Sequence, residues 1–271
     1  MPRRARLDAE LVRRGLARSR AHASELIAAG RVSVRGIQAS KPATAIDADA
    51  SVVVREDVAD PGWASRGAHK LLGALETFTP AGLSVAGRRC LDAGASTGGF
   101  TDVLLAAGAR QVVAVDVGRG LLLWRLRTDE RVVLLERTNI RHLELGDIGE
   151  PVELVVADLS FISLGLVLPA LIGCTTGDAD LVLMVKPQFE VGKQRVGAGG
   201  VVRTPWVRTD AVRWVVAQAA ELGLGLRGVV ASPLPGPSGN VEYFVWLCRG
   251  EPLPEERIAE LVRAAVEEGP Q

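Results

Sequence analysis

The chain is poor in the residues that build metal and disulfide frameworks. Its three cysteines, Cys90, Cys174 and Cys248, are far apart and odd in number. They make no disulfide scaffold, show no metal-binding spacing and suit a reducing cytoplasm. No other cluster has metal-ligand spacing, so no metal is expected, and no internal repeat is visible. The opening residues, MPRRARLDAE, lack the apolar segment of a secretory signal, and a cytoplasmic location is expected. Long apolar runs are missing as well. The nearest is the uncharged stretch 159–177, which includes Ser160, Ser163, Pro169 and Cys174. It is marginal against the roughly 20 residues of a membrane span. It reads as a buried crossover helix and its loop, with no stable membrane association.

Net charge is absent too, formally zero over 271 residues, but the sum hides an asymmetry. Residues 1–41 hold ten Lys or Arg against three acids, a balance of +7; the remainder holds 22 bases and 29 acids, or −7. Charge alone leaves two readings of this basic head: a site for a polyanion, or a solvated arginine-rich surface. Its pattern is compact. LDAELVRRG reads as a short helix ending at Gly15. SRAHASELIAAG reads as a second, capped by Ser19 and stopped by Gly30, with Ala23, Leu26 and Ile27 on one face. RVSV and SVVVRE read as strands, with a turn at Arg35–Gly36. The polar stretch DVADPGWA, broken by Pro61 and Gly62, reads as a linker. The expected division is a small α+β domain at 1–57, a linker at 58–65 and a large domain at 66–271.

From Arg88 onward strands and helices alternate. Apolar strand candidates lie near residues 90, 115, 134, 156, 184, 229 and 245, separated by helical stretches such as PWVRTDAVRWVVAQAAELG. Near-continuous apolar strands in such alternation predict an α/β fold: a Rossmann-like, doubly wound, mostly parallel seven-stranded sheet. PLPGPSGN can reverse the chain before the last strand, and the tail PEERIAELVRAAVEEG is an amphipathic helix.

The loop CLDAGASTGGF ends the first of these strands and leads into a helix. Gly94, Gly98 and Gly99 let backbone approach a ligand, yet the spacing is neither G-x-G-x-x-G nor a P-loop, whose lysine is missing. Asp116 ends the next strand, where a carboxylate can accept from ribose hydroxyls. Acids rather than Arg or Lys argue against a bound phosphate. Asp92, directly before the loop, suits a ligand bearing an amino group and a sulfonium, which favours S-adenosylmethionine over a nicotinamide dinucleotide. In LVLMVKPQFE a buried strand runs into Lys186 and Pro187. Such a lysine either snorkels to water or works beside partners. In this fold ligands sit beyond the carboxyl ends of the strands. Asp158 and Lys186 end successive strands, Glu242 opens another, and Lys70 lies on the helix before the first. Together they offer two cations and two anions to one rim.

These stretches, taken together, resemble the TlyA-type rRNA 2′-O-methyltransferases of the wider FtsJ-like group, nearly end to end. SRGAHKL, CLDAGASTGGFT, LVVADLSFISL, MVKPQFEVGK and SPLPGPSGNVEYF carry the resemblance. It implies a methyltransferase sheet and S-adenosylmethionine as cofactor. It also implies a catalytic tetrad of Lys70, Asp158, Lys186 and Glu242, with Lys186 acting on a ribose hydroxyl. Cofactor contacts are expected from Asp92, Gly94, Ala95, Ser96, Thr97, Gly98, Gly99, Phe100, Asp116, Val117, Asn139, Ile140, Asp158 and Leu159. Asn139 stands where an acid would face the adenine, a departure from the pattern. The basic head resembles the RNA-binding domain of ribosomal protein S4, with Arg4, Arg6, Arg14, Arg18, Arg20 and Arg31 as candidate RNA contacts. The implied substrate is cytidine in bacterial rRNA. Terminal helices at both ends match the longer members, which act on both ribosomal subunits and whose loss accompanies resistance to capreomycin-like antibiotics. The glycine-rich stretch 191–202 is either a closure over RNA or a plain connection. Rival readings are a nucleotide-dependent oxidoreductase, an RNA-binding ribosome-assembly factor and a membrane-acting haemolysin.

Overall fold

The computed structural model describes residues 4–17, 19–47, 50–55, 62–236 and 238–269. The chain divides into two compact units, Met1–Gly62 and Trp63–Gln271. Ala64 is tied to the second unit: it is buried, and its N–H donates to Asp102 Oδ2 at 2.8 Å.

The first unit runs β1 (Arg4–Arg6), α1 (Leu7–Arg13), α2 (Arg20–Ala28), β2 (Val32–Val34), β3 (Ile37–Gln38), β4 (Ala45–Asp47) and β5 (Val52–Val54). Ser19 caps α2 by accepting from the His22 N–H at 3.1 Å, and Gly30 follows the helix at φ +67. Three antiparallel strands stand in the order β3–β2–β5. The turn at Arg35–Gly36 therefore leads into β3, a strand the sequence reading passed over, and the expected strand 52–54 pairs on the other side of β2. A second pair, β1 with β4, was also not anticipated. RAR, IQ and AID lack the valine-rich runs that mark β2 and β5, and their pairing is set by contacts remote in the chain. Leu7, Leu11, Leu26, Ile27, Val32 and Ile46 form the core.

The second unit is built on one seven-stranded sheet. Its strands are β6 (Arg89–Ala93), β7 (Gln111–Val115), β8 (Val132–Leu135), β9 (Val152–Ala157), β10 (Thr175–Val185), β11 (Leu224–Ala231) and β12 (Tyr243–Arg249). The order is β11–β12–β10–β9–β6–β7–β8, and only β12 runs antiparallel to its neighbours. Its helices are α3 (Gly67–Phe78), α4 (Gly99–Ala106), α5 (Trp124–Arg127), α6 (Leu145–Ile148), α7 (Leu168–Gly173), α8 (Pro187–Glu190), α9 (Pro205–Glu221) and α10 (Glu255–Glu268). Alternate residues of the strands enter separate cores. Leu91, Val113, Val155, Leu183 and Val245 pack with α9 and α10, whereas Val112, Leu154, Val156, Met184 and Phe244 pack with α3 and α4. That two-sided burial is why the strands read as unbroken apolar runs.

Stretch 159–177 differs from its expectation as one crossover helix. It holds an irregular loop, a 3₁₀ turn at Leu164–Leu166 and the six-residue α7, because Pro169 sits in the first turn of that helix and Ser160 and Ser163 bond elsewhere. Among the described residues no helix is long and apolar enough to cross a membrane. The glycine-rich stretch 191–202 contains two 3₁₀ turns, Lys193–Arg195 and Ala198–Gly200.

Candidate active site

Strand order reverses between β6 and β9, and the loops leaving their carboxyl ends meet there. Gly94 follows β6 at φ +89, and a Cβ on it would stand 2.7 Å from the Asp158 carbonyl oxygen just after β9. Glycine is thus required by both conformation and close approach. Gly98, at φ +102, is the N-cap of α4, where a side chain would collide with Leu126. One β-α unit later Asp116 braces the loop. Its Oδ2 accepts from the Ser96 N–H at 2.8 Å and its Oδ1 from the Gly118 N–H at 2.6 Å. A carboxylate has about four acceptor positions, so room remains for hydroxyl donors.

These loops enclose a cavity of about 420 Å³ lined by Gly94, Ser96, Val115, Asp116, Val117, Leu121, Asn139, Ile140, Asp158, Leu159, Ser160, Phe161, Ile162 and Val167. The volume falls in the small-molecule range. Of the expected cofactor residues, Gly94, Ser96, Asp116, Val117, Asn139, Ile140, Asp158 and Leu159 line it. Asp92, Ala95, Thr97, Gly98, Gly99 and Phe100 do not: Asp92 belongs to β6, Ala95, Thr97 and Gly98 to the turn after it, and Gly99 and Phe100 to α4. Ala95 and Phe100 are core residues, and Phe100 stacks near Phe244 at 6.0 Å. Leu121, Ser160, Phe161, Ile162 and Val167 were missed. Only Ser160 and Phe161, adjacent to Asp158 in LSFISL, had a local signal. Asn139 Oδ1 accepts from the Arg141 N–H at 3.0 Å, capping a 3₁₀ turn.

Asp92 is fully buried. Thr101 Oγ1 donates to its Oδ2 at 2.6 Å, while its Oδ1 has no hydrogen-bond partner. Burial pushes this carboxyl up to about 7, against the opposing Thr101 hydrogen bond.

The four rim residues form two ion pairs. Lys70 Nζ lies 2.5 Å from Glu242 Oε2, and Lys186 Nζ lies 2.6 Å from Asp158 Oδ1. Strand register explains the assembly. Val185 opposes Tyr243, so Lys186 and Glu242 leave adjacent strand ends, and Leu183 opposes Ala157, which brings Asp158 to the same end. Lys70 reaches it from α3, whose Ala68, Leu71 and Leu75 pack on the sheet. Pro187 fixes the break: the residue before a proline is held extended, and Lys186 has φ −110 and ψ 102 while Pro187 opens α8. The directed hydrogen bond of the Lys186 ammonium goes to Ser160 Oγ at 3.0 Å. Neither lysine is a snorkelling strand end: both are buried and paired.

In the first unit, Arg6 and Arg20 converge on Asp8, at 3.0 and 2.9 Å. Arg14 holds Glu10 at 2.7 Å and the Ala50 carbonyl, and Arg31 donates to the Arg55 carbonyl at 3.0 Å. Arg6 and Arg20 remain 52% and 59% exposed, with guanidinium N–H groups left for an anion. Arg18 and the Arg4 side chain lie outside the described residues. Among the described residues no group of His, Cys, Asp or Glu could hold a metal ion.

S-adenosylmethionine fits the cavity: an acid for ribose hydroxyls, apolar walls for a purine, Asp158 for a positive sulfur, and no Lys or Arg in the lining to call for a phosphate. Fold and site together define an S-adenosylmethionine-dependent methyltransferase. More narrowly, the chain belongs to the FtsJ-like methyltransferase family, whose profile matches residues 63–249, and an S4 domain matches residues 5–52. It is 60% identical, over the whole of both chains, to the 16S/23S rRNA (cytidine-2′-O)-methyltransferase TlyA of Mycobacterium tuberculosis. Hemolysin A of Brachyspira hyodysenteriae is 34% identical over 88% of this chain and 98% of its own. A solved protein of Streptococcus thermophilus, provisionally called a hemolysin, superposes with a TM-score of 0.76 at 36% identity, covering 99% of this chain and 97% of its own.

Proposed function

We propose that this protein methylates the ribose 2′-hydroxyl of cytidine in the rRNA of both ribosomal subunits. The carrying observation is the pair of lysine–carboxylate contacts, Lys186–Asp158 and Lys70–Glu242, at the sheet end beside the cavity. S-adenosylmethionine, when bound, supplies a methyl group activated by positive sulfur. An alcohol is a weak nucleophile until a base shares its proton. Lys186 takes the 2′-hydroxyl proton at Nζ, while Asp158 and Ser160 fix the direction of that nitrogen. Lys70 and Glu242 orient the ribose and its phosphate. In-line displacement rewards such alignment above all else. Asp116 and the Gly94 turn hold the cofactor, and the first unit docks on rRNA through its exposed guanidinium edges.

The test is to map 2′-O-methylation on 16S and 23S rRNA after incubating ribosomal subunits with the protein and S-adenosylmethionine. New cytidine 2′-O-methyl groups in both RNAs are expected. Methylation of one subunit narrows the reading, and no methylation of either refutes it.

A further inference from the structure

We propose that Glu190 is a positioning residue for methyl transfer, clamping the loop after β9 so that Ser160 and Phe161 stay beside Lys186. The proposal rests on the reading of Lys186 and Asp158 as catalytic groups.

Segment 186–190 is laced to loop 158–164 by three side chains in succession. Lys186 Nζ contacts Asp158 and donates to Ser160 Oγ. The Phe189 ring meets the Phe161 ring, with centroids 5.2 Å apart and planes at 48°. Glu190 closes the row: its Oε2 accepts from Ser163 Oγ at 2.5 Å, and its Oε1 from the Leu164 N–H at 2.9 Å. The loop needs such an anchor. Phe161 sits at φ +65, a left-handed conformation that a bulky side chain adopts only when its surroundings hold it there. The residue is 90% exposed, so general burial does not supply that hold. The clamp also begins the next helical turn, since Ser163 is the N-cap of the Leu164–Leu166 turn.

Glu190 is not a solvated helix-end charge. Burial raises its carboxyl above the ordinary range, against the opposing bonds from Ser163 and Leu164. A half-buried glutamate makes sense where its two oxygens fix two consecutive residues. Both of those residues lie on the loop that supplies Asp158, Ser160 and Phe161 to the cavity. Release of the clamp should therefore misplace the proton-accepting nitrogen's partners rather than weaken docking.

The test measures single-turnover transfer of labelled methyl from S-adenosylmethionine to unmodified ribosomal subunits, with cofactor and subunit binding measured in parallel on the full chain. Glu190→Ala should lower the transfer rate about 10–100-fold, the scale of a misplacement near 1 Å, with both dissociation constants within about threefold. Glu190→Gln should recover most of the rate. Its amide oxygen can accept from Leu164 N–H, and its amide nitrogen can donate to Ser163 Oγ. Ser163→Ala removes one bond with little perturbation, and a smaller rate loss is expected; it decides the matter where Glu190→Ala does not fold. A Glu190→Ala rate within about twofold of the unaltered protein overturns the clamp, as does a Gln variant as slow as the Ala variant, or an unchanged rate in Ser163→Ala. Lys186→Ala, run alongside, separates the two readings. If it is inactive while Glu190→Ala is normal, only the clamp fails; if it is active, the catalytic reading fails first.

Discussion

Three buried acids, Asp8 and Glu10 in the first unit and Asp92 in the second, stand in opposite surroundings. In the first unit Asp8 and Glu10 are each gripped by two guanidinium groups, Arg6 and Arg20 for one, Arg13 and Arg14 for the other. The hydrogen bond from Arg6 leads in holding Asp8 well below the usual carboxylate range, and that from Arg13 leads for Glu10. In the second unit Asp92 has a hydroxyl for company, and burial drives it the other way. The lesson is that burial of a carboxylate says little until its partner is named. An arginine-bound acid organises a basic surface by holding guanidinium groups in place. An acid left with one hydroxyl can exchange a proton near neutrality. Asp158 and Glu242 form a third case, in which each carboxylate meets a single lysine, Lys186 for one and Lys70 for the other.

The largest test breaks one lysine pair. Lys186→Ala should cut methyl transfer about 10²–10⁴-fold, since a positioned base contributes on that scale, while S-adenosylmethionine and ribosome binding stay near normal. Lys186→Arg should restore little, because a guanidinium does not accept a proton. Full transfer by the alanine protein in a labelled-methyl assay sinks the mechanism.

Asp92→Asn sharpens the contrast between the units. A raised carboxyl stabilises the cofactor-free fold below its ordinary value near 4, and that contribution is lost as pH rises through about 7. The asparagine protein should match the unaltered one near pH 4 and exceed it above pH 8, by on the order of 3 kcal/mol. Denaturant melts across this range decide it; parallel pH dependences would show that Asp92 does not titrate in the fold.

Asp116→Ala should weaken S-adenosylmethionine binding by roughly 1.5–3 kcal/mol, through the lost charged acceptor and the unbraced Ser96 and Gly118 amides. Calorimetry with the cofactor alone reads this directly, and an unchanged dissociation constant removes Asp116 from the site.

The smallest effect concerns the first unit. Depressed carboxyls stabilise a fold above their ordinary values near 4, and the contribution disappears as pH falls through their lowered folded values. Asp8 and Glu10 should thus loosen the first unit on acidification below about pH 4, the reverse of the Asp92 direction. Amide signals from α1, followed by NMR during an acid titration, would show it. Signals unchanged to pH 2 would mean that the arginine grip does not support the unit.

Much of the second unit was legible in the chain. Seven apolar runs alternating with helices define the sheet because strands covered on both faces need no polar side. Gly94 and Gly98 mark a tight strand-to-helix turn, and Asp116 stands one β-α unit later. The short strands β1, β3 and β4 were not legible, since they lack the valine-rich runs that mark β2 and β5 and their partners come from elsewhere. Nor was the cavity wall of Leu121, Ile162 and Val167, whose apolar side chains look like any core residues until the loops close.

By itself the sequence determined the alternating α/β architecture, the basic head, the cofactor turn, Asp158, Lys186 and Glu242 at strand ends and Lys70 on the helix before the first strand. These follow from local periodicity and from the conformational demands of glycine and proline, which act within a few residues. Tertiary structure alone decided who pairs with whom. Lys70 meets Glu242 across 172 positions of chain, and Lys186 meets Asp158 and Ser160, because β10 lies between β9 and β12 in one fixed register. It also decided that the arginines of the head bind Asp8 and Glu10, and that Glu190 turns inward to Ser163 and Leu164. A charge has no inherent partner in sequence. Its partner is whichever opposite group the packing of the apolar faces carries within reach.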